Sequence, residues 1–396
     1  MARRAASSEP KARVSQRGAK RARSGHPWIF RTDVAEPAAA PGGSIVRVVD
    51  ATGNFVGHAF WAEHSPIALR LLTRRDEPCD RDFFRRRLEQ ALAMRRLLWP
   101  DADCARVVQG EADLLPGLFV DRYDIALVVQ ALSEGVERHL PMLVDLLVEL
   151  LHPRLVVAQN DSSGRDFELL PRSRQVLIGQ GEPTRIRFAE GANAFEIDLL
   201  EDLKTGAFLD QRENHLRAAE YMPKGGRGLD AFSYHGGFAL ALATRASQVV
   251  AIEQDAVAVQ RLRDNVARNQ RSIEVVHGNA FDQLKQRERS GEQYDVVVID
   301  PPAFAKRQGE LDTALRAYKE LNLRGLKLVK PGGALISCSC SGKLTGERFG
   351  AVLDAAINDA RRPVQIVERR GASRDHPALA GVPETEYLKC WVLRAC

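Results

Sequence analysis

Apolar and polar residues follow different rhythms in the two halves of this 396-residue chain. Up to about residue 200 most apolar runs are short and separated by glycine turns, which is typical of strands. After residue 212 strand-like and helical patterns alternate regularly, and this alternation predicts a parallel sheet covered by helices. The chain also exceeds the length of one ordinary core, so two or three domains are expected.

The first half divides into three predicted segments. Residues 1–10 are short of apolar side chains and predict a disordered basic tail. Residues 11–78 contain short apolar runs between turn signals and predict a small β-barrel. Residues 79–198 begin with apolar positions at helical spacing, which stop at Pro100, and continue as a small α+β domain.

Residues 199–396 predict a doubly wound α/β domain with a mostly parallel sheet. Late apolar segments at 363–368 and 388–393 are predicted to add an antiparallel edge to this sheet. The parallel strands are predicted at Gly228–Ala231, Gln248–Ile252, Ser272–His277, Tyr294–Ile299 and Gly333–Ser337.

Composition narrows the class of protein. A hydrophobic content of 44% and a charged content of 28% are those of a globular protein. No stretch approaches the roughly 20 consecutive apolar residues that a membrane span needs, and no apolar run follows the basic N-terminus as in a secretory signal. The six cysteines lack the spacing of a zinc site or a disulfide framework. We therefore expect a cytoplasmic protein without a membrane segment or a metal site.

Positive charge is concentrated near the N-terminus. The net charge is only +5, but the first 31 residues carry nine Lys or Arg and a single acid, Glu9. A second basic run, Arg85–Arg87, lies in the predicted helix before Pro100. Basic segments attract nucleic acid by releasing its counterions, whereas a solvated tail has the same composition. Charge alone therefore suggests a polyanionic partner without identifying it.

Polar residues and a glycine turn follow four successive predicted strands. Asp230 lies in the first strand, and Gly236 belongs to a turn that lets backbone amides approach a ligand. Glu253, 23 residues after Asp230, ends the second strand, where an acid commonly binds ribose hydroxyls. Asn279–Ala280 follows the third strand and suits an adenine edge, and Asp300 follows the fourth. The turn lacks the GxGxxG spacing, so a dinucleotide is not implied.

Two cysteines close the fifth predicted strand. Cys338 is interpreted as a small buried apolar residue. Cys340 is expected just past the strand end, beside the same crevice as Asp300. The C5 atoms of cytosine and uracil are poor nucleophiles until a thiolate adds at C6, so Cys340 is a candidate nucleophile. The polar segment 203–214 is interpreted, on its residues alone, as an ordinarily capped helix start.

Together these segments resemble the PUA-domain-containing large-subunit ribosomal RNA cytosine-C5 methyltransferase family, over nearly the whole chain after residue 10. Residues 25–30 and 42–46 are similar to its RNA-binding PUA barrel, and residues 110–118 to the start of its central domain. The run Lys204–Arg212 is close to the family's most characteristic segment. Further matches in order and spacing are Phe232-Ser233-Tyr234, Gly236-Gly237-Phe238, Asp300-Pro301-Pro302 and Ser339-Cys340-Ser341-Gly342.

The resemblance implies a Rossmann-like class I methyltransferase domain, preceded by a PUA-like β-barrel and a small α+β domain. It implies S-adenosyl-L-methionine as cofactor and large-subunit ribosomal RNA as partner, with assembly intermediates and a homodimer left open. Cys340 would be the nucleophile, and Asp300 would hydrogen-bond the N3 and amino edge of cytosine. The implied cofactor-binding residues are Phe208, Asp210, Gln211, Arg212, Asp230, Phe232, Ser233, Tyr234, Gly236, Glu253, Asn279, Ala280 and Asp300. The implied RNA-binding residues are Arg17, Lys20, Arg21, Arg23, His26 and Trp28.

The chain departs from the family pattern at several points. Asn279 stands where the family usually has an acid, and His235 where it often has Thr. Residues 161–171 fit the family poorly. No cysteine follows Pro301-Pro302, so the second thiol that some RNA cytosine methyltransferases use in product release is absent.

Two other functions are compatible with parts of this pattern. One is an N-methyltransferase that acts on a purine of RNA, since an acid followed by Pro-Pro also presents an exocyclic amine. Against it, Ala303 separates Pro302 from the aromatic Phe304, and a thiol is in range. The other is a non-catalytic RNA-binding ribosome-assembly factor, and the complete set of strand-end motifs argues against that function.

Overall fold

The computed structural model describes residues 9–202, 205–304 and 308–396, which form two compact units. The N-terminal unit comprises the described residues of three segments, which are 1–184, Leu199–Thr205 and Pro377–Thr385. The C-terminal unit comprises the described residues of Arg185–Asp198, Gly206–His376 and Glu386–Cys396.

A six-stranded sheet with one short helix opens the N-terminal unit. Alternate side chains of its strands, such as Val46 and Val48, are buried against Ile29, Ala59 and Leu69. The elements are β1 (Lys11–Val14), α1 (Gln16–Arg23), β2 (Trp28–Phe30), β3 (Val34–Glu36), β4 (Ile45–Val49), β5 (Phe55–Trp61) and β6 (Ile67–Thr73). The strands lie in the order β2-β6-β5-β4-β1-β3. β1 and β4 run parallel, and the other neighbouring strands run antiparallel.

A five-stranded sheet and two helices complete this unit. The first helix begins after Asp80, whose side chain accepts a hydrogen bond from the Phe83 amide at 3.0 Å, and ends before Pro100. Its apolar face packs into a core that includes Phe84, Val120 and Leu147. The elements are α2 (Arg81–Leu98), β7 (Cys104–Gln109), β8 (Leu118–Tyr123), β9 (Ala126–Ala131), α3 (Glu134–Leu151), β10 (Leu155–Asn160) and β11 (Ser173–Ile178). Within the sheet the strands lie in the order β11-β10-β9-β8-β7.

A seven-stranded sheet with helices between its strands forms the core of the C-terminal unit. Its central strands are a hydrophobic layer buried on both faces, as expected for a parallel sheet, whereas its two edge strands are mostly exposed or half-exposed. The elements are β12 (Arg185–Glu190), β13 (Asn193–Asp198), α4 (Arg212–Tyr221), β14 (Arg227–Ala231), α5 (Gly237–Leu242), β15 (Gln248–Glu253), α6 (Ala256–Asn269), β16 (Ile273–His277), α7 (Ala280–Arg289), β17 (Tyr294–Ile299), α8 (Leu311–Leu328), β18 (Val329–Ser339), α9 (Gly346–Ala360), β19 (Val364–Arg370) and β20 (Lys389–Ala395).

The strand order of this sheet decides where a ligand can bind. The order is β16-β15-β14-β17-β18-β20-β19, and the first five of these strands are parallel. β20 runs antiparallel between β18 and β19, which agrees with the predicted antiparallel edge. The chain reverses its direction of winding between β14 and β17. In such sheets the crevice at the carboxyl ends of these strands is the usual binding site.

The structure differs from the sequence analysis at a domain boundary. The β12–β13 hairpin was assigned to the central domain, but it groups with the C-terminal unit. The Asn265 and Asn269 side chains of α6 accept hydrogen bonds from the amides of Glu196 and Ala194 at 3.0 and 2.8 Å. These bonds join residues about 70 positions apart, so the local sequence pattern of the hairpin does not predict them.

The predicted disordered tail falls largely outside the described residues, which begin at Glu9. Glu9 and Pro10, however, form defined contacts with neighbouring strands. A Glu9 carboxylate oxygen lies 2.9 Å from Nε2 of His58, and the Pro10 carbonyl accepts from the Arg47 amide at 2.9 Å. These two residues are therefore a correction to the predicted tail, because Pro10 continues the pairing of β1 with β4 and the Glu9 side chain contacts β5.

Candidate active site

A strained turn connects β14 to α5 at the switch point of the C-terminal sheet. Phe232 and Tyr234 have φ of 69° and 48°, in the left-handed region that non-glycine residues seldom adopt. Gly236 has φ of 95°, and a Cβ there would lie 2.6 Å from a Leu262 methyl carbon. Such conformations persist where the surrounding structure enforces them, often at ligand sites.

Asp230 anchors this turn from the buried end of β14. Its Oδ2 accepts hydrogen bonds from the Ser233 hydroxyl at 2.7 Å and the Ala239 amide at 3.0 Å. Its Oδ1 is buried and has no hydrogen-bond partner among the described residues. Burial raises the pKa of this carboxyl to about 6. A buried acceptor without a donor is costly, so Asp230 offers an oxygen that a ligand donor would satisfy.

Glu253 ends β15 and is held by three backbone amides. Its carboxylate accepts from Tyr234 at 2.8 Å, Gln254 at 2.7 Å and Asp255 at 2.9 Å. The side chain is half-buried, so part of the carboxylate stays accessible. This geometry fixes an acid at the predicted ribose position.

Asn279 lies after β16 and caps α7. Its side-chain oxygen accepts from the Phe281 amide at 2.9 Å, and its amide donates to Gln254 at 3.3 Å. Asn279 is exposed, whereas Ala280 is buried at the first position of the helix. The structure thus explains Asn279 as a helix cap, and its contact with a cofactor stays a prediction.

Asp300 follows β17 and is half-buried. It accepts a hydrogen bond from Nε2 of Gln211 at 3.0 Å, and the Gln211 oxygen accepts from Asn214 at 2.7 Å. Burial, and then the neighbouring Asp210 carboxylate, raise the pKa of Asp300 to about 7. Gln211 therefore orients an acid that exchanges its proton near neutral pH.

The polar segment 203–214, which leads into α4, supplies other residues of the crevice. The Phe208 and Tyr234 rings pack edge to face with centroids 4.9 Å apart. Asp210 accepts a hydrogen bond from the Tyr387 hydroxyl at 2.7 Å. Both residues belong with the candidate site. Leu203 and Lys204, from the same segment, lie outside the described residues.

Arg212 has a different environment from the other residues of this segment. It is buried and forms an ion pair with Asp375 at 3.2 Å. Arg212 therefore has a structural partner within the unit, and its contact with the cofactor stays a prediction.

Cys340 lies directly after the end of β18 and is half-buried, whereas Cys338 is fully buried within the strand. The Ser339 hydroxyl donates to the Tyr318 hydroxyl at 3.0 Å. Burial raises the pKa of Tyr318, and the charges of Cys340 and Asp300 raise it further. β17 and β18 are parallel neighbours in which Ile299 pairs with Ser337, so Asp300 and Cys340 both follow the carboxyl ends of adjacent strands, with Tyr318 hydrogen-bonded to the residue before Cys340.

Three polar residues of this region were not singled out from the sequence. Tyr387 and Lys389 come from the start of the antiparallel strand β20 and the segment before it. His215 of α4 is buried with Nδ1 2.6 Å from Glu190. Burial lowers the pKa of His215, but the Glu190 carboxylate more than offsets this and raises it overall. Of these three residues, Lys389 has a recognisable feature in the sequence, because it is a lysine at the start of an apolar run.

The predicted RNA-binding residues lie on α1, in the segment after it and at the start of β2, and several of them contact other residues of the N-terminal unit. Arg17 and Arg23 form ion pairs with Asp33 at 2.5 Å and Asp50 at 2.7 Å, and Lys20 is exposed on α1. Further internal contacts are Arg21 over the Phe30 ring at 4.7 Å, His26 with Glu384 at 3.4 Å and the Trp28 indole donating to Glu111 at 2.9 Å.

A second basic surface lies in a cleft of the N-terminal unit. The cleft has a volume of about 360 Å³ and is lined by residues from the end of β6 and from α2. We call it the arginine cleft, after Arg74, Arg75, Arg86 and Arg87. Arg75 is exposed and has no ion pair among the described residues.

In the described ranges no helix is long and apolar enough to cross a membrane. The same residues contain no group of three or more His, Cys, Asp and Glu side chains that could hold a metal ion.

Comparisons with known proteins agree with this architecture. Residues 12–74 match the family described as PUA-like domain. Residues 120–389 match the family described as S-adenosylmethionine-dependent methyltransferase. These matches confirm the predicted fold class and the predicted cofactor.

Curated relatives match along most of their length. Proteins named Ribosomal RNA large subunit methyltransferase I from Tolumonas auensis and Erwinia tasmaniensis are 35% and 34% identical, over 93% of this chain and 95% of theirs. A solved S-adenosylmethionine-dependent methyltransferase from Streptococcus mutans has a TM-score of 0.82 at 18% identity and covers 97% of this chain and 99% of its own. Another methyltransferase, solved with SAH, has a TM-score of 0.84 at 18% identity, with the same coverage.

Proposed function

The chain belongs to the family of S-adenosylmethionine-dependent methyltransferases, and from this premise we propose that it forms 5-methylcytosine in large-subunit ribosomal RNA. The names of the relatives support the RNA class. The half-buried thiol of Cys340, which follows the strand adjacent to the one that Asp300 follows, carries the proposal for the methylated atom.

A thiol in this position discriminates between the candidate chemistries. The C5 carbon of cytosine becomes nucleophilic only when a group adds to C6, and a thiolate is suited to that addition. An exocyclic amine of a purine already carries its own lone pair and needs no thiol. Cys340 is accessible at the crevice, whereas Cys338, two residues earlier, is fully buried. The position of Cys340 therefore favours C5 methylation over N-methylation.

Asp300 is suited to recognise the cytosine edge. N3 of cytosine is a hydrogen-bond acceptor, so its partner must donate a proton, which an ionised carboxylate lacks. The raised pKa of Asp300, about 7, keeps a large fraction of this carboxyl protonated near neutral pH. A proton shared with N3 would withdraw electrons from the ring and favour addition of the Cys340 thiolate at C6.

The residues of the crevice fit S-adenosylmethionine. Glu253 would bind the ribose hydroxyls, and Ala280 would border the adenine. The unsatisfied buried Oδ1 of Asp230 would accept from the amino group of the methionine part. When bound, the cofactor supplies an electrophilic methyl group.

RNA would bind to the N-terminal unit through its basic surfaces. A PUA-like barrel and the arginine cleft belong to the same unit. The four arginines of this cleft would neutralise phosphates of the RNA. The target cytosine would leave its stack to enter the crevice of the C-terminal unit.

The test is incubation of the full chain with tritium-methyl S-adenosylmethionine and unmodified large-subunit ribosomal RNA, followed by nucleoside analysis. We expect label in 5-methylcytidine for the wild type. Cys340→Ala should lower this by about a thousandfold or more, as removal of a nucleophile does. Cys338→Ala is the matched control and should keep the labelling of the wild type.

The other outcomes decide against the proposal. Label in an N-methylated purine would move the chemistry to the purine reaction. Full 5-methylcytidine formation by Cys340→Ala would exclude the covalent scheme. RNA binding without any labelled nucleoside, on both free RNA and assembly intermediates, would indicate the non-catalytic assembly factor.

A further inference from the structure

Lys389 is brought beside Cys340 by the antiparallel strand at the edge of the sheet. In the register of β18 with β20, Lys389 is the partner of Ser339, the residue before Cys340. Its Nζ lies 2.7 Å from the carbonyl oxygen of Ser341, the residue after Cys340. Lys389 is thus fixed against the backbone on both sides of the proposed nucleophile.

The two hydrogen bonds of Lys389 are as many as a neutral amine can donate. The side chain is buried, and its Nζ donates to the carbonyl oxygens of Ser341 and Tyr387, each at 2.7 Å. Among the described residues it forms no ion pair with a carboxylate. A neutral amine has two N–H donors and one lone pair, so two carbonyl acceptors satisfy it and leave the lone pair available.

The charges around Lys389 keep both of its protonation states accessible. Burial lowers the pKa of Lys389 to about 8, while the charges of Cys340 and Glu386 act in the opposite direction. Tyr318 reaches the same strand end through Ser339, and its own raised pKa keeps it neutral. An amine that titrates near working pH is well matched to accepting and releasing a proton.

The proposed reaction requires a base on the side of the thiol. Once a methyl group has been added to C5, that carbon carries both the methyl group and its original hydrogen. The methyl donor and the thiolate must approach the flat ring from opposite faces, so the C5 hydrogen is left on the face of the thiolate. The proton acceptor must therefore lie near Cys340, as Lys389 does.

The other polar groups near Cys340 have different tasks. The neutral Tyr318 phenol is a poor proton acceptor. The Tyr387 hydroxyl donates to Asp210, and Asp300 is assigned to the cytosine edge. No second cysteine follows Pro301-Pro302.

We propose that Lys389, as the neutral amine, removes the C5 proton of the methylated adduct, an inference that rests on the proposed cytosine-C5 reaction. The C5–H bond breaks and its electron pair forms the C5–C6 double bond. The C6–S bond breaks and returns the electron pair to the Cys340 thiolate. The proton passes to Nζ of Lys389 and then to solvent, which restores the amine.

The first test uses the full chain with Lys389→Arg and Lys389→Met. Arginine keeps a buried cation that donates hydrogen bonds but does not lose its proton, whereas methionine removes the charge. Both variants should form 5-methylcytidine about a hundredfold more slowly or worse. Both should also accumulate an RNA–protein adduct that carries the labelled methyl group and survives denaturing electrophoresis. Lys330→Arg, which changes a lysine of β18 paired with Asp295, is the matched control and should leave the rate unchanged.

RNA containing 5-fluorocytidine separates addition from elimination. Its C5–F bond cannot lose a proton, so the adduct should accumulate equally in the wild type and in both Lys389 variants. If Lys389 only helps to form the thiolate, the variants will form little adduct on this RNA and the assignment is wrong. Rescue of turnover by Lys389→Arg would likewise reduce Lys389 to a structural cation.

A measurement on the wild type avoids any folding defect of the variants. In a rapid-quench experiment, the ratio of labelled adduct on ordinary RNA to adduct on 5-fluorocytidine RNA should be higher below pH about 8 than above it, because protonated Lys389 cannot act as a base and both RNAs share the addition step. A ratio that does not change with pH would overturn the proposal. If the wild type forms no 5-methylcytidine at all, the proposed function itself fails, and this outcome is distinct from wild-type activity that is insensitive to Lys389.

Discussion

The Arg70 cluster of the N-terminal unit and the crevice of the C-terminal unit treat buried charge in opposite ways. In the N-terminal unit the buried Arg70 pairs with two buried acids, Glu111 at 3.2 Å and Glu168 at 2.9 Å. In the crevice of the C-terminal unit, Asp230 and Asp300 accept hydrogen bonds from neutral donors, and no Lys or Arg among the described residues forms an ion pair with either. Burial raises the pKa values of these two carboxyls to about 6 and about 7.

This difference separates charges that stabilise the fold from charges that bind a ligand or take part in a reaction. A buried pair neutralises itself and fixes the geometry of the elements that supply it. A buried carboxyl without a cation lowers stability when it ionises, and such groups concentrate where a ligand or a reaction uses them. We therefore expect changes to the Arg70 cluster to affect folding, and changes to the crevice to affect turnover.

The largest expected effect follows from breaking the Arg70 cluster. Arg70→Met leaves Glu111 and Glu168 buried without their cation, which should lower the free energy of unfolding by about 3–5 kcal/mol. Chemical denaturation with two spectroscopic probes measures this. The folded fraction should keep the turnover of the wild type.

The control is the exposed ion pair of Arg172 with Asp166 in the same unit. Arg172→Met should leave the unfolding midpoint nearly unchanged, since water and salt screen an exposed pair. Equal effects of the two substitutions would remove the distinction between buried and exposed charge in this unit.

The next effect concerns the crevice. Asp300→Asn keeps the shape of the side chain but loses the exchangeable proton, so formation of 5-methylcytidine should fall by about a hundredfold or more. The thermal midpoint should stay the same or rise, because a buried ionisable group has been removed. Unchanged turnover would reduce Asp300 to a residue that only ends a strand.

The same substitution predicts a change in pH dependence. The pKa of Asp300 rises from an ordinary 3.8 to about 7 on folding. Its contribution to stability is therefore fully present below pH about 3.8 and is lost as the pH rises through about 7. The difference in unfolding free energy between the wild type and Asp300→Asn should shift in favour of the variant over this range. A constant difference would contradict the raised pKa.

The smallest effect concerns the basic surfaces of the N-terminal unit. Arg75→Ala removes an exposed cation of the arginine cleft and should weaken RNA binding several-fold. In a plot of log affinity against log salt concentration, the magnitude of the slope should fall by about one. Arg17→Ala is the matched comparison, since Arg17 is already paired with Asp33. A larger loss for Arg17→Ala would place the RNA surface on the N-terminal helix instead of the arginine cleft.

Much of the fold could be predicted from the sequence because its strands and helices have clear periods. The five parallel strands of the C-terminal sheet lie within a few residues of their predicted bounds, and Asp300 and Cys340 lie at strand ends as expected. β11 has no clear signal in the sequence, because its side chains are exposed or half-exposed and the apolar pattern of a strand is therefore hidden. The β12–β13 hairpin was placed in the wrong unit because side chains of a distant helix decide where it docks.

The sequence by itself determined which residues end the strands, because apolar periodicity and the turn residues that interrupt it are local. It also carried the identities of the acids and the thiol that follow those strands. The tertiary structure alone decided what lies beside them. Gln211 reaches Asp300 across 89 positions, and the insertion of β20 between β18 and β19 brings Lys389 to Cys340. The physical reason is that periodicity shows which face of an element is buried, whereas the choice of neighbouring strand depends on packing across the whole sheet.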